Sequence, residues 1–329
     1  MSQFISLIQA AVIFGTVIMF GCLGEILTEK SGNLNLGVPG IMYIGGIASL
    51  VGVFFYEGST ENPSSLLCVL IALGCGFAAA AFAGLIFSFL TVTLRANQNV
   101  TGLTLTIFGS GVANFFGGSL NKLAGGVGQV STPVTSSAVR TPAPFLSEIS
   151  FAHIGEIFFS YGFMVYLAII VAVILNFVIN HTKVGLNLRA VGENPATADA
   201  AGISVTKYKY AATCLGAGIC GLGGVFYVMD YTKGTWANDG SIEKLGWLAV
   251  ALVIFTTWKS KNAVWGAYLF GVLYWMYFYI PGLTRASQEL FKMLPYIVTI
   301  IVLIITSLRK KKENQPPESL GLAYFREER

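Results

Sequence analysis

The segment 181–207 carries the punctuation of a short rigid helix set among glycines. Asn194 can accept from a free backbone N–H as an N-cap, and Pro195 suits the first helical position. Ala196, Ala198, Ala200 and Ala201 favour helix, and Gly202 can take the left-handed conformation that ends one. Gly185 and Gly192 precede it, with Arg189 and Glu193 alongside. A helix of about two turns is marginal alone. Presented to another protein as a rigid docking surface it acquires a purpose; a solvated loop without a partner is the plainer reading. A second set consists of amides, hydroxyls and rings. Asn33 and Asn35 precede one apolar run, and Thr104, Thr106, Phe108, Asn114, Phe115 and Phe116 lie inside another. Amides and hydroxyls hydrogen-bond sugar hydroxyls and base edges, and an aromatic ring stacks on a base for ~1–3 kcal/mol. At helical spacing Phe108, Asn114 and Phe115 can share a broad face. Such a set suits a neutral, flat, partly polar solute. Rings in an apolar helix otherwise serve packing or face lipid.

Other chemistry is missing from the sequence. No G-x-x-x-x-G-K-[ST] loop occurs, so the chain does not bind ATP in that way. No G-x-S-x-G and no H-E-x-x-H occur either. His153 and His181 both stand in expected loops, and the five cysteines sit in apolar stretches without metal-ligand spacing. No catalytic residue, metal site or cofactor site is expected in this chain. The apolar runs hold no Asp, Glu, Lys or Arg away from their ends, and Glu25 and Asp230 read as interfacial charges. An ion-coupled carrier usually keeps a mid-membrane charge on its coupling path. The balance tilts toward a channel, or a pump powered by another subunit.

The elements that must position these residues are membrane helices. Hydrophobic residues make up 54% of the 329 and charged residues 11%, against about 25% charged in a soluble domain. That excludes a soluble enzyme, a disordered chain and a nucleic-acid binder. Charge-free runs stand at 4–24, 36–56, 65–94, 99–118, 157–180, 208–229, 245–258, 263–280 and 290–307. They predict an all-α polytopic membrane protein with about nine transmembrane helices, in a range of eight to ten. Run 65–94 exceeds a ~30 Å hydrocarbon core, so it tilts, extends past the membrane or breaks at Gly74-Cys75-Gly76. Run 245–258 is too short to span alone and reads as partly unwound or re-entrant. Lys and Arg near span ends set orientation. With nine spans, Lys30, Arg95, the segment 181–209, the pair Lys259 and Lys261, and the cluster Arg309-Lys310-Lys311-Lys312 fall on one side. The C-terminus is then cytoplasmic, and the N-terminus and the loop 119–156 face outside. Residues 1–308 form one transmembrane domain that includes both loops, and 309–329 a basic and polar cytoplasmic tail. Asn35-Leu36-Gly37 opens a run going outward and Lys244-Leu245-Gly246 one going inward. This echo is expected of inverted repeats with broken helices near the centre.

The run Gly185-Leu186-Asn187-Leu188-Arg189-Ala190-Val191-Gly192-Glu193-Asn194-Pro195, with Ala200-Ala201-Gly202-Ile203, resembles the coupling loop of ABC-importer permeases. The match is to the branch serving ribose, branched-chain amino acids and nucleosides. The stretch Glu25 through Gly40, containing Ser31-Gly32-Asn33-Leu34-Asn35-Leu36-Gly37, resembles the early motif of nucleoside permeases, and Gln98-Asn99-Val100-Thr101-Gly102-Leu103 is also similar. Pro39 departs from that pattern, standing where an acidic residue is frequent, and 240–246 lacks the usual Gly-rich form. The resemblance covers nearly the whole chain. It implies a multi-pass permease subunit of a bacterial plasma membrane importer, surrounded by lipid and independent of nucleic acid. Its implied partners are a second, related permease, cytoplasmic ATPases that hold ATP and Mg, and an extracellular solute-binding lipoprotein. The helix at 195–201 would sit in a cleft of the ATPase, whose closure alternates access. Gly185, Arg189, Gly192, Glu193, Asn194, Pro195, Ala201 and Gly202 are the residues this coupling would use. Two other readings stay open: a stand-alone channel or facilitator for a small neutral solute, and an ABC permease for a sugar or an amino acid.

Overall fold

The computed structural model describes residues 2–123, 126, 130–142, 157–309 and 314–326. Lipid offers the backbone no hydrogen bonds, so each apolar run must bond to itself as helix. The chain begins with α1 (Ser2–Glu29), α2 (Val38–Ser59), α3 (Ser65–Ser88, continued by a π turn Phe89–Thr93) and α4 (Gln98–Leu123). A short α5 (Pro133–Arg140) leads to α6 (Phe163–His181). Next come α7 (Lys183–Glu193), α8 (Pro195–Ala200) and α9 (Val205–Phe226, continued by a π turn Tyr227–Tyr231). The last elements are α10 (Ser241–Phe255), α11 (Ser260–Trp275, continued by a 3-10 turn Met276–Tyr279), α12 (Arg285–Lys292) and α13 (Leu294–Arg309).

Among the described residues, seven helices are long and apolar enough to cross a membrane: Gln3–Glu29, Val38–Ser59, Ser65–Thr93, Gln98–Leu120, Phe163–His181, Val205–Tyr231 and Arg285–Arg309. The protein is an all-α polytopic membrane protein. The expectation of nine spans is not met by length. Runs 245–258 and 263–280 are α10 and α11, of 15 and 16 residues. At about 22–24 Å they fall short of a ~30 Å core. They are sheltered by the bundle, α10 lying against α1 and α2 and α11 against α1. The run 65–94 does not break at Gly74-Cys75-Gly76; one helix passes through all three. The loop 119–156 carries α5, whose Thr135, Ser136 and Val139 are buried. His153, with the rest of 143–156, lies outside the described residues, as do Lys310, Lys311 and Lys312.

Small residues decide how the helices meet. A Cβ on Gly45 would stand 2.5 Å from Gly221 Cα, and one on Gly224 would collide with the Met42 carbonyl. The backbones of α2 and α9 therefore touch, which is how membrane helices associate when lipid removes the hydrophobic drive. The packing is reciprocal. α1 lies against α9, α10 and α11, and α9 lies against α1, α2 and α3. Likewise α2 meets α3 and α4, and α10 meets α11 and α13. Exchanging α1–α4 with α9, α10, α11 and α13 maps these pairs onto one another, the pattern of two inverted repeats. Each half has a non-helical stretch at the same place, 30–37 after α1 and 232–240 after α9.

The basic turns gather at one end of the bundle. Lys259 Nζ donates to Asn314 Oδ1 at 2.6 Å, and the Arg95 guanidinium stands 4.6 Å from the Phe325 ring centre. Ser319 donates from its N and Oγ to Gly192 O at 3.1 and 2.6 Å, and Gly321 N donates to Gly32 O at 3.2 Å. The tail 314–326 thus folds back over the loops instead of hanging free. At the other end Glu57 Oε1 accepts from Thr135 N and Oγ1 at 2.9 and 2.5 Å.

Candidate functional site

At the basic end, α7 and α8 form one angular unit. Thr182 Oγ1 accepts from Gly185 N at 3.1 Å and caps α7. Asn194 ends α7, donating from its N to Ala190 O at 2.9 Å. It also begins α8, its Oδ1 accepting from Thr197 N at 2.9 Å. Pro195 occupies the first turn, and Gly202 is left-handed with φ +82°. These are the roles the sequence predicts. The sequence reading misses α7, although its buried Gly185, Leu188, Val191 and Gly192 recur at helical spacing. Gly185 rests on the backbone of Val178 and Ile179, and Gly192 on Lys30 and Gly32. Behind α8, Ala198 is buried with Val191 and Val205, and Tyr324 of the tail packs on them. Asp199 Oδ2 accepts from Tyr324 OH at 2.9 Å and from Arg326 Nε at 3.1 Å. The outward face of Asn194, Ala196, Thr197, Ala200, Ala201 and Gly202 is exposed.

Beside α7, a cavity of about 530 Å³ is lined by Lys30, Arg189, Glu193 and Lys259, with Trp258 as a wall. Burial lowers the Lys30 ammonium below the ordinary lysine range; the Glu193 carboxylate opposes this, and Arg189 and Lys259 reinforce it. Arg189 and Glu193 therefore belong to a charged cluster under α7, set apart from the exposed face of α8.

The second feature is the stretch 30–37 between α1 and α2. An unwound segment inside a bundle exposes backbone groups that must be satisfied. Gln98 Oε1 accepts from Leu34 N at 2.6 Å, Glu25 Oε1 from Asn35 N at 3.1 Å, and Asn35 Oδ1 from Gly37 N at 2.9 Å. Thr106 Oγ1 donates to Leu36 O at 3.1 Å, and Asn33 Nδ2 donates to Thr213 Oγ1 at 2.9 Å. Glu29, one turn beyond Glu25, accepts from Trp258 Nε1. That indole sits in a turn where Thr257 and Trp258 are both left-handed, with φ +53° and +56°. The reading of Glu25 and Asp230 as interfacial charges is corrected. Glu25 is fully buried and Asp230 is 7% exposed, with Glu29 and Lys209 buried as well. Glu25 goes inside because the broken backbone of Asn35 needs an acceptor there.

The predicted solute-facing residues do not form one site. Asn33, Asn35 and Thr106 come together at the break, all buried. Among the described residues, Asn33 Oδ1 and Asn35 Nδ2 are buried without a hydrogen-bond partner. Thr104 Oγ1 donates to Val100 O of its own helix, and Thr104 lines an apolar pocket of about 370 Å³ with Phe108, Phe87 and Leu90. Phe108 and Phe115 are 57% and 60% exposed, so they share the lateral face of α4. Asn114 turns away from them, its Oδ1 accepting from Trp236 Nε1 at 3.4 Å. Trp236, in the second non-helical stretch, is buried against Tyr43 with ring centres 6.2 Å apart. Nothing local in the sequence marks that contact.

Comparison with known proteins gives the family. The family described as "branched-chain amino acid transport system / permease component" matches residues 7–303. A putative glucose ABC transporter permease protein of Haloferax volcanii is 30% identical, covering 99% of each chain. A nucleoside ABC transporter permease protein of Lactococcus lactis is 31% identical over 89% of each. A guanosine ABC transporter permease protein of Bacillus subtilis is 29% identical over 90% of each. No solved structure matches the chain. The match over 7–303 and the near-complete coverage of these relatives show that the chain belongs to this permease-component family: it is an ABC transporter permease, a transport component rather than an enzyme.

Proposed function

We propose that the chain imports nucleosides, driven by ATP that separate cytoplasmic ATPases hydrolyse after docking on the loop 181–207. The observation that carries this reading is the build of α8. It is a capped helix with a small-residue exposed face, braced from behind, and only residues 201–204 separate it from α9. A partner that grips α8 pushes directly on α9, which lies against α1, α2 and α3. It also acts on the break at 30–37 through Gly192 and Ser319. ATPase closure would then shift the two halves against each other and alternate access.

The basic end is cytoplasmic by the positive-inside rule, which puts the C-terminus inside and the N-terminus outside. The bound lipoprotein meets the opposite end, near α5. The exposed apolar faces of α4 and α13 suit lipid and a second permease. ATP and Mg belong to the ATPase. The relatives named for nucleosides and guanosine support a nucleoside solute, and the relative named for glucose supports a sugar as the second reading.

The test is purification from the native membrane in mild detergent, identification of co-purifying proteins by mass spectrometry, and uptake by the same complex in proteoliposomes. An ATPase with a second permease and ATP-dependent nucleoside uptake is the expected result. A homo-oligomer without ATPase, reproduced after gentle crosslinking, would make the chain a channel. Uptake of glucose without nucleosides would select the sugar reading.

A further inference from the structure

At the end away from α8, a cavity of about 370 Å³ opens between α1, the π turn after α9, α10, α11 and the α12–α13 pair. That volume lies inside the roughly 300–1,000 Å³ range of small-molecule sites. Five rings line it: Phe14, Tyr227, Tyr231, Tyr274 and Tyr296. Four of them are already stacked in pairs. Phe14 and Tyr274 have ring centres 4.3 Å apart at 17°, and Tyr227 and Tyr231 are 5.2 Å apart at 18°. In each pair one ring is buried, Phe14 at 4% and Tyr227 at 3% exposed. Its partner, Tyr274 or Tyr231, is only half-buried. The buried ring fixes the orientation of the half-buried one, so a flat ligand meets a surface that is already ordered.

The polar part of the lining is equally specific. Ser241, Lys244, Glu289 and Lys292 border the rings. Lys292 and Glu289 neutralise each other at 2.6 Å, and Ser241 Oγ donates to Asp239 Oδ2 at 2.6 Å. A free amino acid needs a carboxylate for its ammonium group, and the lining carboxylate, Glu289, is already paired. A neutral ligand with one aromatic plane and several hydroxyls suits this lining, since the rings take the plane, the Lys244 ammonium donates to sugar oxygens and the Ser241 hydroxyl, donating to Asp239, still accepts from a sugar hydroxyl.

We propose that this cavity binds the imported solute through a nucleobase stacked against Tyr231 and Tyr274, with the ribose toward Ser241 and Lys244. The proposal rests on the nucleoside reading above and adds to it a place and a set of residues. None of the solute-facing residues expected from the sequence lies in this cavity.

The intact transporter, purified with its partners and reconstituted, tests it through the KM and kcat of guanosine and uridine uptake. Tyr231→Leu and Tyr274→Leu should each raise KM roughly five- to a hundredfold, the fold-change of a lost base–ring stack, with kcat little changed. Tyr231→Phe and Tyr274→Phe keep the ring and should keep KM within about threefold. Wild-type nucleoside uptake with an unchanged KM in both leucine variants would overturn the site and leave the nucleoside reading standing. Wild-type complex that moves no nucleoside would overturn the reading and the nucleobase site together. A second measurement does not depend on the variants assembling. An azido-purine nucleoside irradiated on wild-type complex should label peptides holding Tyr231, Tyr274 or Tyr296, and labelling confined to other segments would refute the proposal.

Discussion

Asn194 is the residue at which the docking reading acquires a magnitude. Its amide oxygen accepts from Thr197 N at 2.9 Å and its own N–H donates to Ala190 O at 2.9 Å. Alanine keeps the second bond and deletes the first. Losing an N-cap costs about 1 kcal/mol, in a range of roughly 0.5–2. Thr197 is exposed, so water takes over its N–H and the cost belongs in the lower half of that range. On a helix of six residues, ~1 kcal/mol changes the ratio of formed to frayed states about fivefold. The membrane bundle makes no use of the lost bond. Asn194→Ala should therefore leave the amount of chain in the membrane and its melting temperature unchanged. It should lower the solute moved per ATP hydrolysed by about two- to fivefold. Asn194→Asp should restore it, because aspartate caps as well as asparagine. Uptake and phosphate release measured in one proteoliposome sample give the ratio directly. An alanine variant with wild-type stoichiometry would refute the claim that an ordered α8 transmits the ATPase stroke.

Two further perturbations probe the frame around this helix. Gly224→Ala places a methyl against the Met42 carbonyl, and overpacking of this kind costs about 1–3 kcal/mol; melting in detergent should drop by several degrees, whereas Gly74→Ala, which meets open space, should melt like wild type, and equal melting of all three would show that α2 and α9 are not held backbone to backbone. Asp199→Asn removes the anion shared by Tyr324 and Arg326; with the Arg326 side chain 73% exposed the ion pair is worth at most ~1 kcal/mol, so the spans should be unaffected while trypsin cleaves after Arg326 several times faster, and an unchanged cleavage rate would mean that the tail is held by Ser319 and Gly321 alone.

What was legible in the sequence was whatever is written locally. α8 shows itself because capping chemistry lies within a few residues, in Asn194, Pro195 and Gly202. The long spans show themselves because an unbroken apolar run has no other way to satisfy its backbone. The count fails at 245–258 and 263–280, whose helices of 15 and 16 residues are too short to span. Run 245–258 ends in a left-handed turn at Thr257 and Trp258, and 263–280 ends in a 3-10 turn, so each run counts residues that its helix does not contain. The tail was invisible for the opposite reason. Ser319 meets Gly192 and Tyr324 meets Asp199 across 127 and 125 residues, and no pattern near either partner announces the contact. The tyrosines of the cavity are similarly scattered over α9, α11 and α13, and become a set only when the helices close.

The misplacement of Glu25 and Asp230 has a single cause. Each stands near the end of a long apolar run, and distance along the sequence puts such a residue at the membrane surface. Yet α1 and α9 exchange under the reciprocal packing of the two halves, and each is followed by a non-helical stretch: 30–37, which is mostly buried, and 232–240, in which Gly234 and Trp236 are buried. Glu25 lies in the last turns of α1 and Asp230 in the π turn that ends α9, each a few residues ahead of its break. A chain that turns back into the bundle without helix carries in donors that apolar neighbours cannot satisfy. A carboxylate in the last turns before the break can supply the acceptor, as Glu25 does for Asn35 N. Asp230 stands likewise beside a break, with Arg140 as an electrostatic neighbour. Glu25 thus belongs inside the protein, holding a broken helix, and its burial follows from the donors of the break rather than from its place in the run.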